Sequence, residues 1–84
     1  MIKINKRIFW RYEPNFKNPK LIIYFIDKHK LYELMPPYYY YLKLVEKGSI
    51  EDLKSLLKYS DGDQLKEISQ LENNLLQLGV IYNE

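Results

Sequence analysis

The groups in this chain that could do acid–base, nucleophilic or metal chemistry are few and scattered. The single histidine, His29, stands in a short polar break with no His or Cys partner at metal-ligand spacing, and the chain has no cysteine. Glu33, Glu46, Glu51 and Glu72 have no companion that would split acid and base roles between two groups. The serines at 49, 55, 60 and 69 lack a histidine in any arguable geometry, so no nucleophile can be assigned. "YSDGDQLKE" (59–67) sets two aspartates around a glycine, but a calcium loop needs further ligands and a closing glutamate at fixed offsets. It reads as a turn and a helix cap. Gly48, Gly62 and Gly79 lie too far apart to build a phosphate-cradling loop. The expectation is a protein that is not an enzyme by itself, uses no cofactor or metal, and works by binding.

Charge narrows what it could bind. Net charge is only +2, but residues 1–30 hold eight Lys or Arg against Glu13 and Asp27, and residues 31–84 hold five Lys against nine acids. A helix reading a DNA groove needs phosphate-neutralising cations around it, and here the helical half is the acidic one. No nucleic-acid partner is expected. The longest apolar run, Leu21–Ile26, is far too short for a bilayer, and residues 1–15 do not read as a signal peptide. No membrane partner is expected, and a cytoplasmic location is. Eighty-four residues, 46% of them apolar and 29% charged, suit one small globular domain over residues 1–84.

The elements that must position any binding surface follow from periodicity. "RIFWRYE" (7–13) alternates Ile8, Trp10 and Tyr12 with Phe9, Arg11 and Glu13, a half-buried strand. Pro14, Asn15, Asn18 and Pro19 bracket a loop. "KLIIYFI" (20–26) is apolar on both faces and suits a central strand. After the break at Asp27-Lys28-His29, "KLYELM" (30–35) resumes the alternation as a third strand at an edge. Pro36-Pro37 ends it, since proline cannot donate to a ladder, and presets the first turn of a helix running to about Lys47 and stopping at Gly48. Ser49 reads as the N-cap of a second helix, with Glu51 and Asp52 in its first turn and Ile50, Leu53, Leu56 and Leu57 as its apolar stripe, ending near Tyr59. "SDGD" (60–63) reads as a turn, with Asp63 capping a third helix on which Leu65, Ile68, Leu71, Leu75 and Leu78 recur. Val80-Ile81-Tyr82 is a short apolar tail packing back on the core. The fold class is α+β: a three-stranded antiparallel sheet followed by three helices, winged-helix-like.

"PPYYYYLKLVEKG" (36–48) sends four tyrosines round most of a helix, because each step turns about 100°. Tyr38 and Tyr41 share a face with Leu42 and Val45 and belong with the core. Tyr39 and Tyr40 are then outside. Two readings stand: they lie over neighbouring apolar surface and do nothing more, or they form a contact patch, a role in which tyrosine is enriched.

An exposed edge strand followed by helices has one obvious use: an extended peptide can add to "KLYELM", held by main-chain hydrogen bonds and sorted by side-chain pockets. The ordered set of three strands, a proline break, a helix ending "LVEKGSIEDLKSLL" and a helix ending "LENNLLQLGVI" resembles the PqqD-like family of recognition elements for ribosomally synthesised, modified peptides. The family's aromatic-x-Leu pair is matched by Tyr32 and Leu34, its corner by Leu44–Gly48, its helix-opening Ser or Thr by Ser49, and its closing pattern by Leu75–Ile81. The hairpin lacks the family's usual glycine, its acidic residue is represented only by Asp27, and Glu72 stands where an apolar residue is common.

The resemblance implies a domain that captures the leader segment of a precursor peptide as a further strand, antiparallel to the third strand, in the cleft between it and the third helix. By position, the backbone of Lys30, Leu31, Tyr32, Glu33 and Leu34 pairs with the leader. Leu65, Ser69, Glu72 and Leu76, the stripe adjoining the core face of the third helix, line the groove. Glu33 and Glu72 would flank that cleft and select a Lys or Arg. The partners implied are the leader peptide and a maturation enzyme, such as the leader protease of a lasso-peptide system or a radical-SAM maturase. Tyr39 and Tyr40 are candidates for docking that enzyme. The rival reading is a winged-helix DNA-binding regulator, against which stand the element order and the acidic third helix.

Overall fold

The structure, a computed structural model, describes residues 1–15 and 17–84. Its element order is β1 (Ile2–Ile4), β2 (Ile8–Glu13), β3 (Lys20–Phe25), β4 (Lys30–Leu34), α1 (Pro36–Glu46), α2 (Ile50–Ser60), α3 (Gly62–Leu78) and β5 (Ile81–Asn83). The α+β class and the three-stranded antiparallel meander β2-β3-β4 are as the alternation predicts. A second sheet is added to them: β1 pairs antiparallel with β5, Ile2 opposite Asn83 and Ile4 opposite Ile81. The expected apolar tail is therefore a strand, and the first residues, which carry no periodic signal, supply its partner.

The β3–β4 register sets the orientation of the main sheet. Leu21, Ile23 and Phe25 are buried and stand opposite Leu34, Tyr32 and Lys30, so these three of β4 point toward the helices. Phe9, Arg11, Ile22, Tyr24, Leu31 and Glu33 therefore line the outer face. The hairpin between β3 and β4 turns at His29, whose φ of 52° is left-handed, so a non-glycine residue does the work of the missing glycine. Its Nδ1 lies 3.1 Å from the Tyr24 hydroxyl.

The core lies between the inner sheet face and the helices. Leu21, Ile23, Leu42, Leu75 and Val80 have no exposed surface, and Phe25, Tyr41, Ile50 and Ile81 are nearly as closed. Burying a leucine such as Leu42 stabilises the fold by about 2 kcal/mol. Helix boundaries follow the predicted chemistry, with two corrections. Pro36-Pro37 open α1 behind an extended Met35, and Gly48 takes φ 73° just beyond Lys47. Ser49 stands at the N-cap of α2, yet its side chain makes no cap hydrogen bond, because its backbone is already helical. The cap of α3 is Asp61, not Asp63: its Oδ1 accepts from the Gln64 backbone N–H at 3.1 Å. Asp61 alone is non-helical between α2 and α3, so the four-residue turn collapses to one residue.

Candidate functional site

β4 is an outer strand. It pairs with β3 along one edge, and no strand among the described residues pairs with the other. Its residues alternate: Leu31 and Glu33 are exposed, Tyr32 and Leu34 half-buried against the core. Tyr32 packs edge-on to Phe25, ring centroids 5.5 Å apart. The open edge is therefore held flat by an anchored inner face.

The two ends of α3 lie toward opposite ends of β4. Its C-terminal cap, Gly79, faces the Phe25 ring, and Phe25 is the partner of Lys30 at the start of β4. Further back, Asn74 donates to the Tyr38 hydroxyl at 2.8 Å, just past the end of β4. At that end a groove of about 380 Å³ opens, walled by Met35, Pro37 and Tyr38 on one side and Glu67, Gln70, Leu71 and Asn74 on the other. An apolar hollow of about 320 Å³ adjoins it, between α1 and α3, and shares Pro37 and Leu71. Leu31 and Met35 are 58% and 66% exposed, large apolar surface beside a free strand edge.

The stripe expected to line this groove lies elsewhere. Glu72 is turned toward α2, where its carboxylate pairs with Lys54 Nζ at 2.9 Å and accepts from the Tyr41 hydroxyl at 3.0 Å. Leu76 lines a separate concavity with Met1, Ile2, Lys54 and Asn83. Ser69 and Leu65, half-buried, follow the same line of the helix about one and two turns before Glu72. The residues of α3 that face the groove are instead Glu67, Gln70, Leu71 and Asn74. Packing of α3 on α2 fixes this rotation, and the Lys54–Glu72 pair locks it. Glu33 lies on the outer sheet face, bonded to Lys20 at 3.1 Å. Glu33 and Glu72 thus belong to different surfaces, each already neutralised, and do not flank one cleft.

The four tyrosines take four different roles. Tyr41 is 2% exposed, and burial, then its bond to the Glu72 carboxylate, hold its pKa well above the usual phenol value. Tyr38 receives Asn74. Tyr39, expected outside, is half-buried and stacks on Tyr12 of β2, centroids 4.2 Å apart and planes 8° from parallel. Only Tyr40 is exposed, at 58%, resting edge-on against Tyr39. No signal local to residues 36–48 could have announced the Tyr12 contact, since it depends on how α1 crosses the sheet.

Among the described residues there is no cluster of three His, Cys, Asp or Glu side chains able to hold a metal ion. No helix among them is long and apolar enough to cross a membrane. Comparison with protein-family models, with curated proteins and with solved structures finds no match to this chain.

Proposed function

We propose that the chain binds the leader segment of a ribosomally synthesised precursor peptide in the cytoplasm and presents it to a partner maturation enzyme. The leader adds as a strand to the outer edge of β4, beside α3. The observation that carries this reading is the pairing of an open strand edge with a partly apolar groove at its end. Main-chain bonds to Lys30–Leu34 supply affinity that does not depend on sequence, and the groove at Met35, Pro37 and Leu71 supplies an apolar anchor. A micromolar complex requires about 8 kcal/mol, within reach of five paired residues and one or two buried anchors. Tyr40, backed by the stacked Tyr39 and Tyr12, is the surface offered to the enzyme that acts on the leader's cargo.

The charge of α3 supports peptide over DNA: it carries Asp63, Glu67 and Glu72 against Lys66. Phosphate binding would need the reverse balance. The test is an NMR titration of the 15N-labelled chain with synthetic leader-like peptides long enough to pair with all of β4. Shifts confined to β4 and the groove face of α3, with new protection of β4 amides from hydrogen exchange, are expected. Shifts on the outer sheet face alone, or none at millimolar peptide, reject strand addition.

A further inference from the structure

This inference rests on the peptide-binding reading and deepens it. We infer that the strand accepted by β4 carries a fixed charge order on its α3-facing side chains: basic, apolar, apolar, acidic, from N- to C-terminus at every second residue.

The two ends of the site differ in charge. At the far end of β4 the groove is walled by Glu67, which makes no ion pair among the described residues. Asp63, one turn earlier on α3, adds the same sign, and Lys66 is rotated about 100° from Glu67. At the hairpin end stand Lys28, whose Nζ lies 5.3 Å from the Phe25 ring centroid, and Lys30, which has no ion-pair partner among the described residues. The other nearby acids are spent: Glu33 on Lys20, Asp27 on Arg7, Glu72 on Lys54. What remains is two acids, Glu67 and Asp63, at one end and two lysines at the other.

Strand geometry turns that polarity into a sequence pattern. An antiparallel strand on β4 begins at the Glu67 end and finishes at the hairpin. Its side chains opposite Leu34, Tyr32 and Lys30 point to the helix side of the sheet, because those β4 positions do. The residue opposite Leu34 meets Leu71, and the next inward residue lies over Tyr32, so both are apolar. The inward residue before them reaches Glu67 and is basic; the one after them meets Lys30 and is acidic. The charged pair is six residues apart, about 20 Å at strand rise. Glu67 to Gly79 on α3 is twelve steps, about 18 Å at helical rise, so the two scales agree.

The experiment is selection of displayed random twelve-residue peptides on the full-length chain, alongside Glu67→Lys and Lys30→Glu variants checked for unchanged melting. The wild-type chain should enrich basic-x-apolar-x-apolar-x-acidic. Glu67→Lys should invert the first charge and Lys30→Glu the last. In a synthetic winner, reversing either charge should weaken binding about threefold to fivefold, the scale of an exposed ion pair. Winners that shift β4 amides but carry no charge order overturn this inference and leave strand addition standing. No enrichment, or winners that shift amides elsewhere, overturns both.

Discussion

Tyr41 shows how one side chain can tie the core to its polar margin. Its ring is buried with Leu42, while its hydroxyl donates to a carboxylate that Lys54 also holds. A phenolate there would sit beside Glu72 in a desolvated corner, which is why its pKa is raised, by burial first and by Glu72 second. The sign of the pH effect follows. Below about pH 10 folded and unfolded chains both keep this proton, so stability is unaffected by it. Above that, the unfolded chain releases the proton and the folded chain retains it, so stability falls as pH rises. Thermal melts of the wild type between pH 9 and 11.5 should show a declining midpoint, and Tyr41→Phe should make the decline shallower. An identical slope in the variant would mean the hydroxyl is not held as described. Tyr39 makes a related point about legibility. Helical rotation alone places it outside, yet it is half-buried against the core because a neighbouring element covers it, here Tyr12 of β2.

At the scale of elements, the strands and helices were readable because each has its own pattern: period two along 8–13, a short run apolar on both faces along 20–25, and period 3.6 along 62–78. The phase of a helix against its neighbours was not. Glu72 interrupts an apolar stripe, and a charge in such a place suggests a groove when only one helix is considered. Its partner Lys54 lies on α2, and nothing in the α3 sequence names it. The clamp between α2 and α3 can be tested directly. Glu72→Gln removes the ion pair but keeps an acceptor for Tyr41, and should cost about 1–2 kcal/mol of stability in urea melts, a part-buried charge-assisted bond. Peptide affinity in the same variant should stay within twofold, since the carboxylate faces away from β4. A tenfold loss of binding without loss of stability would return Glu72 to the groove. The caps show the same limit on a smaller scale: Asp63 is chemically suited to cap α3, but the extended backbone at Asp61 gives that role to Asp61.

For the molecule as a whole, the unread part was the β1–β5 sheet. A three-residue strand has no period to detect, and its partner lies some eighty residues away along the chain. The site was legible where it depends on strand order, since a third strand ahead of helices has to be an edge, and illegible where it depends on rotation about the α3 axis. The two sheets should differ in persistence. β3 is central, with Leu21 and Ile23 fully buried, whereas β1 and β5 form an isolated two-stranded pair of minimal length. Native-state hydrogen exchange should therefore find β1 and β5 amides opening at least tenfold more often than those of β3; equal rates would show the small sheet to be part of the global cooperative unit. The same small sheet has a mechanical consequence. Its register puts Met1 and Glu84 at one end of the pair, where the Glu84 N–H donates to the Met1 carbonyl. A tug between the two termini loads those bonds one after another, as in a zipper, and not all together in shear. Force applied through residues 1 and 84 would therefore meet its main resistance where Ile2 and Ile81 are seated in the core.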